Sequence, residues 1–221
     1  MLSIIDILTL TMILVIIVMR VICFPQGVDY VRLTSEQAKQ NRQLILDTAS
    51  RMFRLRGMEN VSVADIMKQS GFTHGGFYNH FKSKEELAAE AVACAFEKSA
   101  HGLSEKFGSA RSPQKAFEIV IAEYLSPAYR DSSTGGCPAS ALPADAARNG
   151  KGVQTAFAEG VESYLGIFAA GMDGSKHEAR EKAIALLSGL VGALMLSRAV
   201  KKSNRKLSDE LLCSARKHLC K

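Results

Sequence analysis

The chain has 221 residues, 47% of them apolar, with 17 Gly, 5 Cys, no Trp and a formal net charge of +6. That length and balance exclude bulk disorder and allow one or two domains with a real core. The five cysteines, at 23, 94, 137, 213 and 220, form no CxxC pair and no His/Cys cluster, which excludes a disulfide framework and gives no metal or cofactor site.

Residues 1–32 are unlike the rest. From Ile7 to Met19 nothing is charged, and Met12 to Met19 reads MILVIIVM. Leu2 to Phe24 just reaches the ~20 residues that a helix needs to cross a bilayer. No Lys or Arg opens the segment and no small-residue cleavage site closes it, so a secretory signal is not indicated. Two readings stand. Residues 2–24 are a membrane anchor with the following domain held cytoplasmic by Arg20, Arg32 and Lys39, or 1–32 is a dispensable extension from a misassigned start. The marginal length favours the second. Pro25, Gln26 and Gly27 break any helix there.

Residues 33–84 carry a net +4 and residues 85–197 a net −4. A basic segment before an acidic body reads as a polyanion-binding module joined to something else, or as ordinary fluctuation in short blocks. Helical periodicity starts at Ser35: Leu44, Ile45, Thr48, Ala49, Met52 and Phe53 share one face, and Gly57 ends the helix. Ser62 caps a short second helix with Asp65 in its first turn, which stops at Gly71. Thr73 is a predicted N-cap for the next helix, and Ser83 with Glu86 forms a predicted capping box for a long one. Two short helices joined by a turn at Gly71 make a helix-turn-helix, whose second helix enters the major groove.

Three runs carry a resemblance: Val63-Ala64-Asp65-Ile66, Ser70-Gly71-Phe72-Thr73 and Gly76-Phe77-Tyr78-Asn79-His80-Phe81-Lys82-Ser83-Lys84-Glu85-Glu86-Leu87. Together they resemble the DNA-binding domain of the TetR/AcrR family of transcriptional regulators, in register over about residues 40–90. The resemblance implies that Tyr78 packs or hydrogen-bonds at the phosphate backbone, and that His80 and Lys84 meet phosphates. It puts Thr73, His74 and Gly75 at the end of the recognition helix that reaches base edges. Chemistry adds that Asn79 can pair bidentately with adenine and that the N–H groups headed by Ser62 can hold a phosphate. Gly75 and Gly76 each disfavour helix by roughly 1 kcal/mol relative to Ala, and allow close backbone approach to DNA or form a loose turn.

Residues 85–221 read as about six helices. Pro113 starts one and Pro127 ends or kinks it. Pro138 starts a short helix through Arg148, and another ends near Gly171. A long helix covers Ser175 to about Lys202, and the last runs from Ser208. The stretch Ile184 to Met195 is apolar nearly all round and needs cover on every side; a second copy, approaching at Gly189 and Gly192, is the expected cover. Cys137 precedes Pro138 at a helix start, where the dipole favours thiolate; it is either an electrophile sensor or a small capping residue. Tyr124, Phe157 and Tyr164, with Phe96, Phe117, Tyr129 and Phe168, line an effector pocket or are simply core. Residues 198–221 carry a net +6 and either contact DNA or are solvated.

The expected architecture is all-α: an N-terminal three-helix helix-turn-helix domain over 38–98 and a C-terminal helical effector-binding and dimerisation domain over 99–221. The resemblance implies a cytoplasmic, nucleoid-associated regulator without a cofactor. It would bind double-stranded operator DNA as a homodimer and respond to a small-molecule effector of unknown identity, most commonly as a repressor. A membrane-tethered version differs only in residues 2–24, and a small cysteine enzyme built on Cys137 is the alternative from another class.

Overall fold

A computed structural model describes residues 35–132 and 136–220. The predicted anchor or extension over 1–32 lies outside these. The chain divides into two compact units, 1–39 and 40–221; of the first, only residues 35–39 are described. Every element among the described residues is helical.

Helix α1 (Ser35–Arg56) buries Ile45, Ala49, Met52 and Phe53 as its periodicity requires. Leu44, predicted on that face, is 48% exposed and belongs to its margin. Gly57 closes the helix at φ +80°, a conformation that costs an L side chain roughly 1–2 kcal/mol. Helix α2 (Val63–Gln69) has a reciprocal capping box: Asp65 N–H donates to Ser62 Oγ at 3.1 Å, and Ser62 N–H donates to Asp65 Oδ2 at 3.1 Å. It ends in a Schellman turn on Gly71 (φ +82°), in which Phe72 N–H reaches Met67 O at 2.8 Å and Gly71 N–H reaches Lys68 O at 3.2 Å.

The predicted recognition helix is a 3-10 helix, His74–Asn79. Two adjacent glycines and a Thr73 side chain that makes no cap hydrogen bond leave little to favour a wider α-turn. Helix α3 (Lys84–Ser109) is capped by Ser83 Oγ, but the predicted capping box is incomplete: the Glu86 carboxylate takes the N–H of Lys82, one residue early.

The rest holds seven helices where about five were expected. They are α4 (Pro113–Tyr124), α5 (Pro127–Arg130), α6 (Pro138–Ala141), α7 (Pro143–Arg148), α8 (Lys151–Ala170), α9 (Lys176–Val200) and α10 (Arg205–Leu219). Each extra helix starts at a proline. Pro127 opens α5 instead of closing α4, and Pro143 cuts the predicted 138–148 helix in two, since proline suits a first turn and blocks an interior one. Helix α10 begins at Arg205 and not Ser208, because Asn204 caps it through Leu207 N–H at 3.0 Å.

Helices α3 and α8 pack along their lengths, and α9 lies against α8 and α10. Gly160 makes the first approach possible, since a Cβ there would stand 2.1 Å from Phe96 Cγ. One apolar core joins α1, α2, the 3-10 turn and α3 to Cys137, Leu142, Val153 and Tyr164. A second holds α4, α8, α9 and α10 together. Since α3 runs through residues 98 and 99, the first core is continuous across the predicted domain boundary.

Candidate functional site

Two aromatic residues seat the recognition turn. Phe77 and Phe81 are 1% and 2% exposed and stack with centroids 5.7 Å apart, over fully buried Ile66 and Met67. With that face occupied, Thr73, His74, Gly75, Tyr78 and Asn79 are left exposed on the other. Tyr78 is 70% exposed and leans edge-on against Phe77 at 5.3 Å. Ser62 is exposed at the head of α2, but Asp65 shares that helix start and takes both the N–H and the hydroxyl of Ser62.

His80 and Lys84 are less free than the sequence predicts. The His80 ring is half-buried, with Phe72 and Phe81 each 6.5 Å away. Burial, helped by the Arg42 charge, pulls its pKa below the ordinary value of 6.5, so the imidazole is mainly neutral near pH 7. The Lys84 ammonium donates to Met58 O at 2.8 Å. Arg42 of α1, which no sequence motif marks, has three partners. Its guanidinium lies 4.5 Å over the Phe81 ring, Nη2 pairs with Glu90 at 2.7 Å, and Nε donates to His80 O at 3.4 Å. It thereby ties α1 to α3 and to the end of the recognition turn.

A cavity of about 190 Å³ lies among α3, α4, α5, α8 and α9. Tyr124, Cys137 and Tyr164 line it, as do Tyr129 and Phe168; Phe157 does not, standing edge-on to Phe96 at 5.2 Å. The apolar wall is completed by Leu103, Val120, Leu187 and Leu190, which no sequence signal separates from ordinary core. Cys137 Sγ is 3.6 Å from the Tyr164 hydroxyl. The helix that Cys137 heads has four residues, too short for the dipole expected of a longer one. Burial holds the hydroxyls of Tyr124, Tyr129 and Tyr164 well above the usual tyrosine range, so all three stay protonated.

The profile of bacterial regulatory proteins of the tetR family matches residues 45–91, which contain the whole turn described above. The HTH-type transcriptional regulator YxaF of Bacillus subtilis is 29% identical over 161 residues, covering 71% of this chain and 84% of that one. The HTH-type transcriptional regulator AcrR of Shigella flexneri is 42% identical over 59 residues, so the chain spans about a quarter of its length. Two solved structures share the fold. E. coli NemR in its reduced form has TM-score 0.69, 18% identity, and coverage of 81% of this chain and 95% of that one. A TetR transcriptional regulator from Chloroflexus aurantiacus has TM-score 0.68, 20% identity, and coverage of 84% and 94%.

The chain carries the DNA-binding domain of the TetR family over residues 45–91. It is a DNA-binding transcriptional regulator, and its relatives are regulators and not enzymes, which removes the cysteine-enzyme alternative.

Helix α1 and the loop that follows it are tied to the segments near the cavity by polar contacts that sequence reasoning did not find. Arg54 of α1 donates from Nη1 to Gly136 O at 2.7 Å, one residue before Cys137 in the cavity wall. Both backbone groups of Met58 are held, its N–H by buried Asp145 of α7 at 2.8 Å and its carbonyl by Lys84. These pairs lie 26 to 87 positions apart in sequence, where no local pattern marks them.

Proposed function

We propose that the protein is a ligand-responsive repressor that binds a palindromic operator as a homodimer, with residues 38–98 reading DNA and residues 99–221 sensing and dimerising. Thr73, His74, Gly75 and Asn79 face base edges. Ser62, Tyr78, His80 and Lys84 face the phosphate backbone, with His80 acting as a neutral donor. A small molecule enters the cavity at Tyr124, Cys137 and Tyr164 and releases the protein from DNA, acting in the nucleoid.

One observation carries this reading: the carbonyl next to cavity residue Cys137 is held by Arg54 of α1, the helix that supports the recognition turn. A ligand that moves the Gly136–Cys137 segment moves a partner of α1, and binding that prefers one arrangement shifts the population towards it. Dimerisation is supported by the surface of α9 and α10, where Ile184, Met195, Leu196 and Leu207 are exposed beside a groove that includes Gly192. Gly189 lines the same groove, where a Cβ would stand 3.0 Å from Leu219 of its own chain.

The test is selection of bound fragments from genomic DNA followed by footprinting. Two protected half-sites, centred about one helical turn apart or a multiple of it, support the homodimer. A single unpaired half-site, or uniform protection, overturns it.

A further inference from the structure

We propose that the cavity takes an uncharged ligand of one or two rings bearing a hydrogen-bond acceptor, and that the Tyr124 hydroxyl selects it by donating to that acceptor. The inference rests on the reading of this cavity as the effector site and names the chemistry that it would accept.

One hydroxyl in the cavity wall has an unmet hydrogen bond. The Tyr124 hydroxyl is buried and has no hydrogen-bond partner among the described residues. The Ser140 hydroxyl and the Cys137 thiol lie close enough to act on its titration, but neither is in hydrogen-bond geometry with it. A buried polar group left in this state is costly, so a ligand atom that accepts from it removes the penalty as well as gaining the bond. Burial keeps this hydroxyl protonated, which leaves its hydrogen available to donate.

Charge decides the next property. Three ionic side chains line the cavity and all are compensated: Lys98 pairs with Asp47 at 2.6 Å, and Lys106 with Glu123. Arg54 and Arg198 lie near but do not line it; they donate to the Gly136 carbonyl and the Ser140 hydroxyl. A carboxylate or ammonium inside would therefore lose its hydration with no unpaired ion of opposite charge in the wall to replace it, which disfavours it. Size and shape come from the wall. Tyr124 and Tyr129 rings lie 5.0 Å apart, tilted by 31°, and Phe168 lines the same space. Such aromatic faces suit a flat ring. A dry apolar cavity of about 150 Å³ holds a benzene, so 190 Å³ accommodates one ring or a compact fused pair.

Three probes of nearly equal shape test this on the full chain: 1-indanone, indane and indane-1-carboxylate, titrated calorimetrically into wild type and Tyr124→Phe. The expected result is that wild type binds the ketone about five- to tenfold more tightly than the hydrocarbon and binds the carboxylate most weakly. In Tyr124→Phe the ketone falls to the level of indane while indane is unchanged. The variant also melts no lower than wild type, because it loses a hydroxyl that had no partner. Equal binding of ketone and hydrocarbon by wild type, survival of the preference in Tyr124→Phe, tightest binding by the carboxylate, or no binding of any probe each overturns the proposal. Operator release is measured in parallel. Ketone binding that leaves operator affinity unchanged supports the ligand class and overturns the reading of the cavity as the effector site.

Discussion

Lys84 has two claims on one ammonium. It holds Met58 O at 2.8 Å in the free protein, while the resemblance puts it on a phosphate. Lys84→Ala is expected to weaken operator and random DNA alike and to lower the salt slope by about one, read from a salt titration. An unchanged slope with a lowered melting temperature would assign the lysine to Met58 alone. His80 makes a separate prediction. Its folded-state pKa lies below the ordinary 6.5, so between those values the unfolded chain holds more protons than the folded one. Stability therefore falls as pH drops through 6.5 and levels off below the folded-state value. His80→Gln should remove that part of the slope when melting temperature is followed from about pH 7.5 to about pH 5.

Single helices owe their ends to local chemistry and their positions to remote contacts. The four helices that open on Pro113, Pro127, Pro138 and Pro143 were legible in principle, since each proline favours a first turn. Reading Pro127 as a stop and passing over Pro143 caused the miscount. The approach of α8 to α3 was not legible. Gly160 looks like any helical glycine until Phe96 is placed against it. Gly160→Ala forces the ring aside and is expected to cost about 1–3 kcal/mol by overpacking, measured by denaturant titration. On α7, Asp145→Ala strands the buried Met58 N–H and should cost a similar ~1–3 kcal/mol, while Asp145→Asn keeps an acceptor and most of the stability.

At the largest scale, one core runs from the 3-10 turn to the cavity wall, so the turn and the cavity are not on separately packed parts. The basic tail is accounted for in part: Lys201 and Arg205 pair with Asp131 at 3.0 Å, beside a buried Arg130 that donates to Asp209 and Ser208 of α10. Those charges anchor the last helix instead of standing free for DNA. Leu196, 57% exposed on α9, is where a second copy would be felt most. Leu196→Asp is expected to halve the mass seen by light scattering and to weaken operator binding together with it, since a charge in an apolar contact pays desolvation without a partner.

The helical class, the helix-turn-helix and the helix ends at Gly57, Ser62 and Gly71 were readable from the chain alone, because periodicity, Ser62 with Asp65, and Gly57 and Gly71 act within a turn or two of themselves. The same locality explains the misreading of the recognition helix. The motif indicated where the helix lies, but not that Gly75 and Gly76 would tighten it to a 3-10 turn. The Arg42 clamp, both hydrogen bonds on Met58, the exclusion of Phe157 from the cavity and the unpartnered Tyr124 hydroxyl were decided only by tertiary structure. Each depends on which side chain, dozens of positions away, arrives within a few ångströms. Hydrogen bonding and burial are set by that arrival and not by the residue type.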